Sequence, residues 1–395
     1  MPALIALLLL GLLAESLLWF QPAAILPVIS GDLAMSYTQS GLVMSVICLM
    51  AALIGPFAGI LLNRFGLKNV FVATILFTAV GSVGSLISGN FYVLLLMRVL
   101  IGAGIGLSLP IPGVAAVSWL SEKRRPLLNT VYAILPYIAT ALNFLLSVRL
   151  FMAFGGDWKL TLAIPGLLLI VIAVLWMLKK HGAYSLREDE GGTGDISEGM
   201  RYILRDRQVR LICIAEACDM WGFQFLSSYL VTYLNESGTP LEEASAYSSI
   251  FPISGIAAGL LCGALMAATG RRKIFTWPMH IGIFAGTQMI VFGNGFVRIA
   301  GIFIAGFGNA GWAPALYTMP MEFENMTARK VGMVYSAMFS LGYLAAFISP
   351  PLGGKIAEII GLKATLAVYG FFALAAAVST FKMKETRPGQ RLVSC

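Results

Sequence analysis

Long runs without charged residues are the feature that most constrains this chain. No Asp, Glu, Lys or Arg lies between Asp32 and Arg64 or between Lys68 and Arg98, and comparable runs continue almost to the C-terminus. A helix needs about 20 mostly apolar residues to cross a bilayer. Ten uncharged runs occur, at residues 33–63, 69–97, 99–120, 126–148, 160–178, 244–270, 274–297, 299–321, 331–354 and 364–381. Two more apolar segments, 3–29 and 211–234, hold acidic residues in their interior. The sequence therefore predicts twelve membrane-spanning segments.

The composition supports a membrane protein. The 395 residues are 58% hydrophobic and 12% charged, with a mean hydropathy of +0.84, whereas soluble domains are about 45–50% apolar and about 25% charged. Backbone in hydrocarbon must satisfy its own hydrogen bonds, which leaves helices and closed barrels. Barrel strands alternate in polarity over about 10 residues, and these runs do not alternate. We expect an all-α integral membrane fold with twelve transmembrane helices.

The positive charges predict the orientation of the chain. The formal net charge is +8, and most Lys and Arg residues fall in alternate loops and in the C-terminal tail. Loops rich in Lys and Arg face the cytoplasm in membrane proteins. We therefore expect a multi-pass protein of the cell (plasma or inner) membrane with both termini in the cytoplasm. The basic charge then reflects topology in a lipid bilayer, and we expect no nucleic-acid partner.

The sequence repeats itself half a chain apart. Gly59 and Gly66 in one turn correspond to Gly263 and Gly270, each 204 residues later. Three further matches follow in the same order at offsets of 203 or 204: Phe20-Gln21 with Phe223-Gln224, Gly102-Ala-Gly104 with Gly306-Phe-Gly308, and Lys159-Leu-Thr-Leu-Ala163 with Lys363-Ala-Thr-Leu-Ala367. We interpret the chain as two six-helix bundles in parallel orientation, the first repeat (residues 1–180) and the second repeat (residues 209–395).

Residues 181–208 connect the two repeats and form a long polar stretch. The residues from Arg187 to Gly194 are typical of a flexible linker. Asp195, followed three residues later by Glu198, resembles a capping box, and the apolar residues after it recur with helical spacing. We predict a cytoplasmic linker that contains a short amphipathic helix on the membrane surface.

Two motifs in this chain resemble those of the major facilitator superfamily of secondary transporters. The turn after segment 2 resembles the family motif Gly-x-x-x-Asp-Arg-x-Gly-Arg-Arg/Lys, because Gly59, Arg64, Gly66 and Lys68 match and Asn63 replaces the aspartate. Arg98-x-x-x-Gly102-x-Gly104 resembles the family motif of segment 4. The duplicated six-helix pattern also fits, and the resemblance covers essentially the whole chain. The Gly-Pro motif of segment 5, typical of drug/proton antiporters, is missing.

The resemblance implies that the turn between segments 2 and 3 latches the two halves in the outward-open state. Because Asn63 carries no charge, we expect a weaker latch than in the family. The second copy of the turn has diverged, so we expect the polar gating contacts mainly in the first copy. Gly59 is expected to allow close helix contact. The candidate gating residues are Gly59, Asn63, Arg64, Gly66, Lys68, Gly263, Gly270, Arg271 and Arg272.

Four ionisable residues inside membrane segments are candidates for proton coupling: Glu15, Arg98, Glu216 and Asp219. Such groups cost about 2.5–3.5 kcal/mol in the membrane and are usually functional. A carboxyl group in apolar surroundings can take up and release a proton near neutral pH. The alternative for the acids is a structural pairing with Arg98 or with a backbone donor. Glu216 is expected nearer the cytoplasmic end, where water can reach it, and His280 in segment 9 is expected to be structural.

Rings and amides in segments 1, 7 and 10 are candidates for the solute-binding cavity. A site that combines apolar rings with a few polar groups suits a modest organic solute. The alternative for each tryptophan is packing or contact with the lipid interface. The candidate cavity residues are Trp19, Gln21, Trp221, Gln224, Asn309 and Trp312.

These features predict a proton-coupled secondary transporter of a small organic solute. We expect it to work by alternating access, with the two repeats rocking about a midplane site. The acids favour neutral, zwitterionic or cationic solutes, while Arg98 and Arg149 leave small organic anions open. A proton-driven drug or metabolite exporter and a non-transporting receptor of the same fold are the alternatives. With two histidines and no nucleotide-binding motif, we expect no enzyme, no cofactor and no metal. We expect a monomer whose partners are the solute, the proton and the bilayer.

Overall fold

A computed structural model describes residues 2–121, 125–179, 205–323 and 326–386. These residues are largely helical and contain no β-strand. The predicted amphipathic helix and residues 181–204 of the predicted linker lie outside the described residues. The helices are α1 (Pro2–Phe20), α2 (Leu26–Asp32), α3 (Tyr37–Val83), α4 (Phe91–Ser108), α5 (Ile111–Trp119), α6 (Arg125–Ala153), α7 (Trp158–Leu178), α8 (Arg207–Glu236), α9 (Leu241–Ser248), α10 (Ile250–Thr269), α11 (Trp277–Phe292), α12 (Phe296–Gly311), α13 (Ala313–Glu322), α14 (Ala328–Ile360) and α15 (Leu362–Phe381).

The helix α3 contains two membrane segments. It is 47 residues long, whereas one crossing takes about 20 residues. Its backbone leaves the helical region at Gly66, where φ is 77° and ψ is 159°. Glycine adopts such a positive φ without the steric cost that other residues meet. The predicted segments 2 and 3 are therefore joined at Gly66.

Four other predicted segments are each built from two helices. The pairs are α1 with α2, α4 with α5, α9 with α10, and α12 with α13. Proline stands at three of these joints, as Pro22, Pro110 and Pro314, and it lacks the N–H group that would continue the helical ladder. Between α1 and α2 the chain forms a 3₁₀ turn, Gln21–Ile25.

All twelve predicted segments have a helix in the structure. Ten helical stretches among the described residues are long and apolar enough to cross a membrane. One of these stretches contains both halves of α3. The remaining segment is α8, a continuous helix of 30 residues whose acidic and polar residues lower its hydropathy. The predicted all-α membrane fold is confirmed.

The packing of the helices repeats at the same offset as the sequence. A methyl group added to Gly104 in α4 would lie 2.7 Å from the carbonyl oxygen of Thr74, and one added to Gly308 in α12 would lie 2.6 Å from that of Met279. At both places the helix backbones approach so closely that only glycine fits. The duplication predicted from the sequence is therefore present in the helix packing as well.

Contacts divide the chain into two compact units. The first contact unit comprises Met1–Arg187, Ser227–Ser249 and Pro350–Glu358, and the second comprises Glu188–Leu226, Ile250–Ser349 and Ile359–Cys395. Each unit has its own hydrophobic core, with Phe71 and Trp176 in the first and Trp312 and Met319 in the second. The predicted boundaries at residues 180 and 209 describe the sequence duplication and stay a prediction.

Candidate functional site

Each of the two repeats has a buried carboxyl group in its first helix. Glu15 in α1 and Asp219 in α8 stand 204 residues apart, within one residue of the offset of 203 that relates Phe20-Gln21 of α1 to Phe223-Gln224 of α8. Each residue is 3% exposed. Among the described residues, neither carboxyl group forms an ion pair with Lys or Arg. The predicted alternative of a structural pairing between these acids and Arg98 is therefore not found.

The surroundings of Glu15 are mainly apolar. Ser108 at the end of α4 is the polar side chain that interacts with its carboxyl group, and Tyr132 of α6 lies within electrostatic range. The carboxyl atom Oε1 is buried and has no hydrogen-bond partner among the described atoms. In the part of the chain that the structure describes, the carboxyl group of Glu15 thus has few polar partners.

The surroundings of Asp219 contain three polar side chains. Nδ2 of Asn309 lies 3.5 Å from Oδ2 of Asp219, and Nε2 of His280 lies 3.7 Å from Oδ1. The indole of Trp312 interacts with the same carboxyl group. Trp312 is the residue equivalent to Ser108, so the end of the same helix supplies a polar partner in both repeats.

His280 is the functional candidate that the sequence did not reveal. Its side chain is fully buried in α11, and its ring stacks on Trp312 with the ring centroids 5.5 Å apart. Its Nδ1 atom lies 3.0 Å from the carbonyl oxygen of Thr276. His280 and Asp219 lie on different helices of the second contact unit, and no local spacing in the sequence links them. His280 therefore has an ionisable neighbour in Asp219, and its expected structural role stays a prediction.

Glu216 lies one helical turn before Asp219 and is also buried. The hydroxyl group of Tyr317 in α13 donates a hydrogen bond of 3.2 Å to its Oε1 atom. A methyl group added to Gly342 in α14 would lie 3.2 Å from the Cγ atom of Glu216. The expectation that water reaches Glu216 is therefore wrong, because α13 and α14 cover this side chain.

Arg98 bonds to backbone carbonyl groups rather than to an acid. Its guanidinium group donates to the carbonyl oxygens of Leu18 and Trp19 in α1 and of Val43 in α3. Pro22 has no N–H group, so it cannot donate to the carbonyl of Leu18 four residues earlier. An unpaired buried carbonyl group is costly, and Arg98 supplies the missing donor. The break in segment 1 therefore gives the buried Arg98 a structural role, and its role in proton coupling stays a prediction.

Each repeat contains a cavity at the equivalent place. The cavity of the second repeat holds about 400 Å³ of empty space, including space open to solvent, and Asp219 and Asn309 line it together with aromatic rings. The cavity of the first repeat holds about 230 Å³ and is lined by Gln21 and Arg98. Leu162 lines the first cavity, and its equivalent Leu366 lines the second. The cavity beside Asp219 is the larger of the two.

Three predicted cavity residues do not join the cluster around Asp219. Gln21 donates a hydrogen bond of 2.7 Å to the carbonyl oxygen of Thr161, and Trp19 is partly buried in the same contact unit. Trp221 stacks on Phe372, with ring centroids 4.9 Å apart. Of the six predicted residues, Asn309 and Trp312 contact Asp219, and Gln224 is buried in α8. A pocket shared by all six stays a prediction.

The two copies of the predicted gating turn differ in their polar contacts. In the second copy, Arg272 is buried and forms a two-pronged ion pair with Glu322, with Nη2–Oε1 at 2.9 Å and Nε–Oε2 at 3.2 Å. The backbone N–H groups of Arg272 and Lys273 donate to Glu385. Arg271 is exposed, and Gly270 adopts a positive φ of 64°.

In the first copy, Asn63 and Arg64 are exposed, and Lys68 lies 3.5 Å from the carbonyl oxygen of Met177. A methyl group at Gly59 would meet no atom within 4 Å, and one at Gly263 would make ordinary contact at 3.8 Å. The close helix contact expected at Gly59 is therefore not found. The ion pair lies in the second copy, whereas the sequence predicted the polar contacts in the first. The gating role itself stays a prediction.

Comparisons with known proteins agree on the family. The family model of the Major Facilitator Superfamily matches residues 7–350. The 4-hydroxybenzoate transporter PcaK of Pseudomonas aeruginosa is 24% identical over 381 residues, which cover 86% of this chain and 81% of that protein. The gallate transporter of Pseudomonas putida is 22% identical over 394 residues, covering 90% and 85%.

Solved structures have the same fold. A bacterial homolog of the human lysosomal transporter Spinster, in an inward-facing and unoccupied conformation, has a TM-score of 0.80 with this chain at 15% identity, and 96% of each chain is covered. At this identity the likeness concerns the fold. The matched family model covers most of the chain, and the twelve helices in two six-helix repeats fit it. The chain therefore belongs to the major facilitator superfamily and is a multi-pass membrane protein of the secondary-transporter class.

Proposed function

We propose that this protein couples the movement of a small organic solute to the movement of protons, and that it works by alternating access. We place it in the cell membrane with both termini in the cytoplasm, following the distribution of Lys and Arg. Reporter fusions at each terminus, active only on one side of the membrane, test this orientation.

The buried carboxyl groups of Glu15 and Asp219 carry the proposal. Both side chains are 3% exposed, and a charged carboxylate at such a place in the membrane costs about 2.5–3.5 kcal/mol on insertion scales. Binding a proton removes the charge and this cost. A carboxyl group that is alternately buried and opened to water would therefore bind a proton in one state and release it in the other.

Polar contacts within the first contact unit support the opening and closing motion that alternating access requires. The hydroxyl group of Tyr37, at the start of α3, donates a hydrogen bond of 2.6 Å to Glu236. Thr38 donates one of 2.7 Å to Glu358. These contacts join the first repeat to segments of the second repeat, and their members are largely exposed to solvent. Because water can replace such hydrogen bonds at little cost, this connection can break and reform during transport.

We propose a carboxylic acid with one aromatic ring as the class of solute. Two relatives are named as transporters of 4-hydroxybenzoate and gallate. The cavity beside Asp219 is lined by the aromatic residues Phe223, Phe225, Phe251 and Tyr369, and such rings suit an aromatic solute. An organic anion that travels with one proton carries no net charge across the membrane.

Uptake by purified protein in liposomes tests the function. Radiolabelled 4-hydroxybenzoate is supplied outside, with and without an inwardly directed proton gradient, and a protonophore provides the control. We expect accumulation above equilibrium only with the gradient. Uptake that reaches equilibrium equally with and without the proton gradient would contradict proton coupling. Binding without uptake would indicate a receptor, and gradient-driven efflux of ethidium would indicate a drug exporter.

A further inference from the structure

His280 and Asp219 face each other across the interior of the second contact unit. Nδ1 of His280 lies 3.0 Å from the carbonyl oxygen of Thr276. A carbonyl oxygen only accepts hydrogen bonds, so Nδ1 carries a hydrogen atom. The other ring nitrogen, Nε2, is therefore the one with a free lone pair in the neutral ring. It is buried without a hydrogen-bond partner in the described structure and points towards Oδ1 of Asp219, 3.7 Å away.

Two facing acceptors need a proton between them. A carboxylate oxygen and an imidazole lone pair repel each other, and no water-like medium screens them inside the protein. A single proton turns this repulsion into a hydrogen bond, whichever of the two groups holds it. The gap of 3.7 Å is about 0.7 Å longer than a typical hydrogen bond, which a small side-chain rotation closes.

The other oxygen of Asp219 is already engaged. Oδ2 lies 3.5 Å from the amide of Asn309, and Trp312 both interacts with the carboxyl group and stacks on the ring of His280. These contacts orient the carboxyl group and the imidazole ring towards each other. The arrangement thus leaves Oδ1 and Nε2 as the two atoms that can share a proton.

We propose that Asp219 and His280 form one proton-binding unit in which His280 positions the transported proton. The unit takes up one proton from water, holds it between Oδ1 and Nε2 while it is neutral and buried, and returns it to water when it opens. No bond other than that to the proton forms or breaks. The role in transport rests on the proposed proton coupling, while the pair itself rests on the geometry alone.

The titratable groups around this unit come from several helices, and none is a lysine or arginine within ion-pair distance in the described residues. The nearest acid is Glu216 on the same helix, which Tyr317 covers. Beside Asp219 or Glu216, or lining the same cavity, the described titratable groups are Cys213, Cys218, Tyr317 and Tyr369. None of these four brings a positive charge to the unit, and Arg207 and Arg210 stand at the start of α8, more than two helical turns from Asp219.

The first repeat has no such unit. Gly104 packs against Thr74 in the first repeat, and its counterpart Gly308 packs against Met279 in the second. Thr74 of α3 therefore corresponds to Met279 of α11, at an offset of 205 residues. At that offset His280 corresponds to Ile75, which is fully buried. The first repeat thus has a hydrocarbon side chain at the position where the second repeat has the imidazole of His280. This makes Glu15 a matched control within the same molecule.

Nitrogen NMR of the histidine side chains tests the proposal directly. The chain has two histidines, so His181→Gln leaves only the signals of His280 in protein labelled with ¹⁵N-histidine. We expect the Nε2 signal to be displaced from that of a free neutral imidazole towards the protonated form, and to change reversibly with pH. In Asp219→Asn we expect the Nε2 signal of a neutral imidazole throughout, whereas Glu15→Gln should leave the wild-type signals unchanged.

Two results would overturn the proposal. One is a wild-type Nε2 signal equal to that of a free neutral imidazole at every pH. This measurement does not depend on whether the Asp219 variant folds. The other is the same titration in wild type and Asp219→Asn.

Transport supplies a separate test of the positioning role. We expect His280→Gln to shift the pH dependence of gradient-driven 4-hydroxybenzoate uptake while leaving the KM for the solute within about twofold, since the acid remains. An unchanged pH profile would contradict the role of His280. If the NMR result holds but wild-type protein accumulates no solute, the proposed function fails and the proton-binding unit stands.

Discussion

Glu15 and Asp219 are buried acids in the first helix of each repeat, and they differ in their partners. Both side chains are 3% exposed. Asp219 has Asn309 and His280 beside it, whereas the polar side chain that interacts with Glu15 is Ser108. Equal burial of two acids thus does not give them equal chemistry, because among the described residues Asp219 has an imidazole nitrogen within 4 Å of its carboxyl group.

The helices that carry the two acids diverged in a second way. Segment 1 breaks at Pro22, and Arg98 bonds to the carbonyl groups exposed there. In the second repeat Phe225 follows Phe223-Gln224 as Pro22 follows Phe20-Gln21, Ile302 stands where the first repeat has Arg98, and α8 continues without a break. Phenylalanine has the N–H group that proline lacks, so no arginine is needed. The arginine of segment 4 thus compensates for a break that only the first repeat contains.

Neutralising the two acids separately is the strongest test of the difference between the Glu15 and Asp219 sites. We expect Asp219→Asn to lower gradient-driven accumulation of 4-hydroxybenzoate by about tenfold or more, equivalent to ~1.4 kcal/mol. Glu15→Gln should lower it less, because no base shares its proton. Uptake into liposomes measures both variants at equal protein content. Equal losses in the two variants would contradict the assignment of the coupling proton to Asp219.

Removing Arg98 tests the structural explanation of that residue. We expect Arg98→Met to lower stability by about 3 kcal/mol or more, because each buried carbonyl group left without a donor costs about 1–3 kcal/mol. Thermal unfolding in detergent measures the loss. The matched variant Ile302→Met in the second repeat should cost less than about 1.5 kcal/mol.

Pro22→Ala sharpens the same test by restoring an N–H group near the carbonyl of Leu18. We expect Arg98→Met to cost less in the Pro22→Ala background than in wild type, by about 1 kcal/mol. A cost that is the same in both backgrounds would show that Arg98 does not compensate for the proline.

The two copies of the gating turn provide the third comparison. We expect Arg272→Gln to lower stability by about 2 kcal/mol, because it leaves the partly buried Glu322 without its ion pair. Arg64→Gln in the first copy should have no measurable effect, since exposed charges contribute little. Thermal unfolding of both variants measures the difference, and an equal loss in both would contradict the asymmetry of the turns.

The smallest expected effect is at Gly59. A methyl group there meets no atom within 4 Å, and alanine favours a helix over glycine by up to about 1 kcal/mol. We expect Gly59→Ala to leave the unfolding temperature and the uptake rate unchanged or slightly raised. A clear loss of uptake with normal stability would indicate that this glycine contacts another part of the protein during transport.

Much of the fold could be predicted from the sequence, because a long apolar run that crosses the bilayer must satisfy its backbone hydrogen bonds as a helix. The breaks at Pro22, Pro110 and Pro314 could be anticipated in the same way, since proline removes a backbone donor. The candidate site was harder to predict from the sequence. Glu15 and Asp219 are visible as acids in apolar segments, but the pairing of Asp219 with His280 depends on how α8 and α11 pack. The bonding of Arg98 to carbonyl groups depends likewise on packing of α4 against α1.

Proton movement triggered by solute tests the central claim most directly. Liposomes that contain the protein and a trapped pH-sensitive dye receive 4-hydroxybenzoate outside, without an imposed pH gradient. We predict acidification of the lumen with wild type and with Glu15→Gln, and none with Asp219→Asn. Acidification by Asp219→Asn at the wild-type rate would contradict the claim that Asp219 carries the coupled proton.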